Sequence, residues 1–300
     1  MKKNKILIGT RASKLAMIYA NRAQKEIGKF FSGEVQIIKI KTEGDQNQVD
    51  RLSNIGGKGL FSKKIEEELI SRKIDLAVHA LKDMPSEETD GLVTKCFLKR
   101  NSPEEILISR ENKKFIQLKK NSIIGTSSFR REFQLKRIRD DLIYKTIRGN
   151  VDTRISKLKN KDYDAIILSK AGIKSLNLNH LISDEFSTEK IIPCAGQGVV
   201  SIQCREDDDE ILSLLGKVND KVSSISAISE RKVLNILEGD CHTAVGVFAK
   251  LENNDFEITG ELFSIDGKKR YYKKIKDNKS NYLNVSIELG NYLKAEAKNS

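Results

Sequence analysis

No apolar run in this 300-residue chain is long enough to cross a bilayer. The basic start, Met1-Lys2-Lys3, is followed by too short an apolar stretch for an export signal before charge resumes at Arg11. Cysteine and histidine are scarce and scattered. Cys96, Cys194, Cys204 and Cys241 show no Cys-x-x-Cys spacing, and His79, His180 and His242 lie far apart. That argues against a metal site and a disulfide framework, and makes a reducing cytoplasm the expected location. Aromatic residues do not interleave with the basic ones and no nucleic-acid module is recognisable, so neither nucleic acid nor membrane is an expected partner. What the chain has in excess is positive charge, 54 Lys and Arg against 42 Asp and Glu, a net +12 that favours an anionic ligand. Its length predicts two or three domains.

The pattern begins as strand, turn and amphipathic helix. Residues 6–8 form a short apolar strand, Gly9-Thr10-Arg11-Ala12-Ser13 follows, and Leu15, Tyr19, Ala23, Ile27 and Phe31 recur every fourth position, with Ser13 as N-cap. Strands are expected at 35–40, 74–79 and 92–98 and a charged helix at 62–72, while 42–59 is polar, glycine-containing and aperiodic. Residues 99–103 read as a hinge. Beyond it, Ile124-Gly125-Thr126-Ser127-Ser128-Phe129-Arg130-Arg131 echoes the first turn, and 163–168 echoes 74–79. Two similar α/β lobes with mostly parallel sheets follow from this, built like periplasmic binding proteins, plus a smaller α+β C-terminal domain. The expected boundaries are 1–99 with 198–217, 103–194, and 220–300. Within this scheme 196–204 is a strand crossing back into the first lobe, Asp207-Asp208-Asp209-Glu210 starts a helix, and the lysine-rich stretch 268–279 is a solvated sheet edge.

Sites in parallel sheets fall at the carboxyl ends of strands. Two helix starts there offer backbone N–H groups to anions, one with Arg11 and Ser13, the other with Thr126, Ser128, Arg130 and Arg131. Arg148, Gly149 and Arg154 mark a third strand-to-helix transition. Arginine suits the task because its planar fork pairs bidentately with carboxylates. Asp83, next to Lys82 at a strand end, is the candidate acid/base group. Lys58 lies in a glycine-rich stretch that lacks the Ser/Thr of a phosphate loop and reads as a lid carrying a cation.

These motifs together resemble the porphobilinogen deaminase (hydroxymethylbilane synthase) family along nearly the whole chain. The carriers are Thr10-Arg11-Ala12-Ser13, Gly56-Gly57-Lys58-Gly59-Leu60-Phe61, His79-Ala80-Leu81-Lys82-Asp83-Met84-Pro85, Gly125 to Arg131, Arg148-Gly149-Asn150-Val151-Asp152-Thr153-Arg154, Ala195-Gly196-Gln197-Gly198 and Glu238-Gly239-Asp240-Cys241. The resemblance implies a monomeric cytosolic transferase of tetrapyrrole biosynthesis. Such an enzyme condenses four porphobilinogen molecules head to tail, with loss of ammonia, and releases hydroxymethylbilane by hydrolysis. It further implies a dipyrromethane cofactor joined to Cys241 by a thioether and Asp83 as catalytic carboxylate. Cofactor contacts would come from Lys82, Asp83, Thr126, Ser128, Arg130 and Arg131. Substrate contacts would come from Arg11, Ser13, Lys58, Arg148, Gly149 and Arg154. Ala80, Tyr19 and Ser175 replace a serine, a glutamine and an arginine frequent in relatives, with Lys170 a candidate to supply the missing charge; Asp240, His242 and Ala244 replace glycine, glutamine and proline. The alternative reading is a two-lobed small-anion binding protein without catalysis, which has no use for Asp83 or Cys241.

Overall fold

The computed structural model describes residues 3–42, 62–239 and 243–298. Strand β1 (Lys5–Arg11) runs parallel to β2 (Glu34–Ile40) and β3 (Leu76–Ala80). Strand β10 (Val200–Arg205) pairs antiparallel with both β3 and β4 (Leu92–Phe97), so four of the five strands in the order β2-β1-β3-β10-β4 point the same way. Both faces of this sheet are covered, as parallel sheets require. On one, Ile6 and Ile8 pack against Ala20, Ala23 and Ile27 of the helix Lys14–Ile27 and against Ile211 and Leu215 of the helix Asp209–Val218. On the other, Ala77 meets Ile65 and Leu69 of the helix Lys63–Ile70.

A second sheet repeats the plan. Its order is β7 (Ile143–Lys145), β6 (Ile123–Gly125), β8 (Ala165–Ser169), β5 (Glu105–Ser109) and β9 (Asp184–Phe186), again with four strands codirectional and the fourth position reversed. Ile124, Leu107 and Ile167 face Phe115, Leu135 and Phe186, while Ile106, Ile166 and Leu168 face Ile155 and Leu158 of the helix Val151–Lys159. The expectation of two similar, mostly parallel α/β lobes is met. Strands β5 and β9 lie where the sequence reading assigned none, and β7 is the strand implied, without bounds, by the strand-to-helix transition at Arg148.

In each sheet the reversed strand is the one that arrives from the other sheet: β5 follows β4 through 98–104, and β10 follows β9 through 187–199. The two crossings run side by side, with Leu98 N donating to Val200 O at 2.9 Å and Asn101 N to Gly198 O at 2.8 Å. Gly198 has φ +82°, and a Cβ there would lie 2.5 Å from Asn101 O, so no other residue fits without strain. The stretch 99–103, read from the sequence as a hinge, lies in the first of these two crossings.

The remaining unit is an antiparallel sheet of β11 (Val245–Glu252), β12 (Asp255–Phe263) and β13 (Arg270–Asn278), packed on the helices Lys221–Ile236 and Tyr282–Lys298 through Val233, Val247, Ile258, Val285 and Leu289. Strand β13 is an edge. Its Lys274 and Lys276 pair with Glu257, and Lys273 with Glu288, which fits the reading of 268–279 as a solvated margin. The crossing 98–104 is tied to this unit by a buried ion pair. Arg100 Nη1 and Nη2 reach the two oxygens of Glu230 at 2.5 and 3.3 Å, and the same carboxylate accepts from Gly196 N at 2.7 Å and Ala249 N at 2.8 Å.

Candidate functional site

The predicted turns form where side chains and backbone agree locally. Ser13 caps the helix Lys14–Ile27 by accepting from Ala16 N at 3.3 Å, and Ser128 caps the helix Phe129–Lys136 by accepting from Arg131 N at 3.4 Å. A capping hydroxyl uses an oxygen lone pair and keeps its own proton, so each serine can still donate to an anion. Thr126 is buried, with its hydroxyl accepting from Ser128 N at 3.2 Å. Gly149, at φ +107°, lets the chain turn into the helix Val151–Lys159, and a Cβ there would lie 2.6 Å from Thr153 Cγ2. Arg154 Nε then donates back to Gly149 O at 2.9 Å.

Asp83 closes a short 3-10 turn, Leu81–Asp83, at the end of β3. It shares a pocket with Arg11, Ser13, Tyr19, His79 and Ala80. Arg11 Nη1 lies 4.0 Å from Asp83 Oδ2. Lys82 Nζ reaches across to Ser169 Oγ of the second lobe at 3.4 Å. Burial pushes the Tyr19 hydroxyl up to about 12, the charge of Asp83 adds to this, and a hydrogen bond with Ser175 opposes it. Tyr19 and Ser175 thus lie close to each other across the lobes. The ammonium of Lys170 is held by Glu185 and lies 3.9 Å from Glu104.

On the second lobe the arginines form one electrostatic cluster. Burial, followed by repulsion from Arg131 and Arg148, pulls Arg154 down to about 10 against the attraction of Asp83, so it stays charged at neutral pH. Arg130 and Arg131 are 3% and 7% exposed, and both converge on Glu105. Each guanidinium therefore gives one nitrogen to an internal carboxylate and another to a backbone carbonyl, not a bidentate fork to one acid group, and the Nε of each of these two arginines is buried without a hydrogen-bond partner. Across the two lobes the described residues bring Arg11, Lys82, Arg130, Arg131, Arg148 and Arg154 together around Asp83 and Glu105. A ligand with several carboxylates, as a dipyrromethane has, fits this donor set.

Cys241 and Lys58 lie outside the described residues, as do the remainder of 43–61 and Asp240 and His242. The described neighbours of Cys241 are well placed. Ser86, three residues beyond Asp83, donates its hydroxyl to Gly239 O at 3.4 Å, and Ala244 packs with Phe133 and Phe129 of the arginine helix. Sequence reasoning overlooked Glu105, whose only signal was an acidic pair opening the apolar run 106–108. It also gave His79 no role. Burial, opposed by a hydrogen bond to Gln203 and aided by Arg11, lowers the His79 imidazole to about 4, so it is neutral at physiological pH.

Comparison with known proteins follows the same lines. Residues 6–213 match the family model described as porphobilinogen deaminase, dipyromethane cofactor binding domain, and residues 224–299 match that of the porphobilinogen deaminase C-terminal domain. The chain is 42% identical over 268 residues to the porphobilinogen deaminase of Bacillus subtilis (strain 168), covering 88% of this chain and 85% of that one. It is 42% identical over 262 residues to the porphobilinogen deaminase of Geotalea uraniireducens (strain Rf4), covering 87% and 82%. Among solved structures, the VFT2 domain of Bordetella pertussis BvgS aligns with a TM-score of 0.45 at 12% identity, over 71% of this chain and 85% of that one. With family models matching both 6–213 and 224–299, and relatives this similar over most of their own length, the chain belongs to the porphobilinogen deaminase family.

Proposed function

We propose that Asp83 is the acid/base carboxylate of this chain's reaction and that Cys241 carries its primer. As a porphobilinogen deaminase the chain is a hydroxymethylbilane synthase, a transferase of tetrapyrrole and heme biosynthesis with a dipyrromethane cofactor. It joins four porphobilinogen molecules head to tail, releases ammonia at each joining, and frees hydroxymethylbilane by hydrolysis. This reading supersedes that of a non-catalytic two-lobed binding protein. The dipyrromethane supplies the pyrrole that the first substrate is joined to.

The observation that carries the assignment is Asp83 set among cations at the junction of the lobes. A carboxylic acid there donates its proton to the nitrogen of the departing amine, and the resulting carboxylate offsets the positive charge left on the substrate. Arg11, 4.0 Å away, orients that carboxylate and pairs with a substrate acid group. Lys82, Thr126, Ser128, Arg130 and Arg131 bind the cofactor's acetate and propionate groups. Ser13, Lys58, Arg148, Gly149 and Arg154 receive those of the substrate. The placement of Gly239 and Ala244 against the Asp83 loop and the arginine helix supports Cys241 as the tether. The lobes 1–99 with 198–217 and 103–194, with 220–300 as a third domain, are the units of this reading, and the paired crossings join the first two. Among the described residues no helix is long and apolar enough to cross a membrane, and we place the enzyme in the cytoplasm as a monomer without nucleic-acid partners.

Intact-mass spectrometry of protein from a host that makes porphobilinogen tests the tether. The expected result is one dipyrromethane of added mass, absent in Cys241→Ala. Wild-type protein of unmodified mass would refute the reading.

A further inference from the structure

Glu105 is fully buried and opens β5, directly after the crossing 98–104. Its strand partners at this position are Ser169 of β8 and Phe186 of β9, so its backbone is fixed by the middle of the second sheet. Its carboxylate meets two guanidinium groups. Arg130 Nη2 donates to Oε1 at 2.5 Å and Arg130 Nη1 to Ile192 O at 2.8 Å. Arg131 Nη2 lies 2.7 Å from Oε2, while Arg131 Nη1 donates to Ile167 O at 3.4 Å. Both arginines are thus held by their outer nitrogens, and the inner Nε of each has no partner.

We propose that Glu105 is a positioning residue for the anion site, a resident counter-charge that holds Arg130 and Arg131 assembled before any ligand carboxylate arrives. The inference rests on the reading that these arginines bind the primer. Two guanidinium groups so close repel one another, and the carboxylate between them offsets that repulsion, with the charge of Glu261 adding to it at Arg130. Ligand binding then completes an assembled site instead of building one. Burial alone would raise the Glu105 carboxyl, yet the charges of Arg131 and Arg130, an ion pair with Arg131 and the charge of Lys82 hold it down to about 2, so it is an anion at every physiological pH.

A positioning role has a signature that a plain structural ion pair lacks. Without primer, Glu105 is the counter-charge on this pair; with primer, ligand carboxylates share the task. Removing Glu105 therefore harms the primer-free protein more. The experiment compares wild type, Glu105→Gln and Glu105→Asp, each produced in a host that makes porphobilinogen and in one that cannot, with primer content read by intact mass and stability by thermal unfolding. Glu105→Gln is expected to lower the midpoint of the primer-free form by about 5–10 °C and that of the loaded form by less than half as much. Glu105→Asp, which keeps the charge, should retain most of the wild-type stability in both forms. Equal losses in the two forms would overturn the proposal. If primer-free Glu105→Gln does not fold, loaded Glu105→Gln near wild-type stability supports the proposal, and loaded protein that is equally unfolded refutes it. Wild type of unmodified mass from the first host would refute the primer reading itself, and this proposal with it.

Discussion

Replacing Glu230 with alanine removes a carboxylate that joins the crossing 98–104 to the third unit. In the wild type that group is 0% exposed, its partner Arg100 is 12% exposed, and the guanidinium also sits 4.8 Å from the Phe248 ring. The substitution leaves the Arg100 charge buried and strips the acceptor from Gly196 N and Ala249 N. Breaking a buried pair by removing one partner costs about 3–5 kcal/mol. For a chain of this size that corresponds to a fall of about 6–10 °C in the unfolding midpoint. Urea and thermal unfolding followed by circular dichroism give the number directly. Replacing both members with apolar residues, Arg100→Met with Glu230→Leu, should recover part of the loss because neither charge is then stranded. A Glu230→Ala protein within about 1 kcal/mol of wild type would refute the claim that this pair fastens the crossings to the third unit, since that is the scale of an exposed pair.

Asp83→Asn keeps the size of the side chain and removes its proton chemistry. It should retain the primer by intact mass while releasing ammonia about 100- to 10,000-fold more slowly, and a loss under tenfold would remove Asp83 from the acid/base role. His79 gives a pH signature. Its imidazole, lowered to about 4 in the fold, has an unfolded value of 6.5, so the unfolded chain takes up the proton first. The stability tied to the neutral ring is complete above about pH 6.5 and is lost as pH falls toward 4, about 3 kcal/mol in all. His79→Gln should flatten that window in urea midpoints measured from pH 7 to 4, and an unchanged slope would show that another group sets it.

Features decided within a few residues were legible in the sequence. Ser13 and Ser128 cap their helices because a hydroxyl and an N–H three residues on meet whenever the turn forms. Asp208 starts the helix Asp209–Val218 for the same reason. The return to the first lobe expected of 196–204 is made by a strand that begins at Val200, with 196–199 belonging to the crossing. What sequence could not give were partners set by the fold. Strands β7 and β9 have three residues each and β5 has five, too short to show a period. Glu105 meets Arg130 across 25 positions and Arg100 meets Glu230 across 130, distances at which residue type carries no pairing information. For the arginines, the sequence supplied charge at a helix start but not which nitrogen faces which acceptor. The fold turned Nη2 of Arg130 and of Arg131 toward Glu105 and Nη1 of each toward a backbone carbonyl.

The paired crossings also set an order of assembly. The second sheet is drawn from one continuous stretch, 105–186, and can pair all its strands as soon as that stretch has been made. The first sheet cannot, because β3 and β4 are neighbours only through β10. Until synthesis has passed Arg205, β4 has no partner and one edge of β3 stays open, although both strands left the ribosome about a hundred residues earlier. The N-terminal half therefore waits, with an unpaired strand edge, for a later part of the chain, and that interval is when it is most exposed to association with other nascent chains.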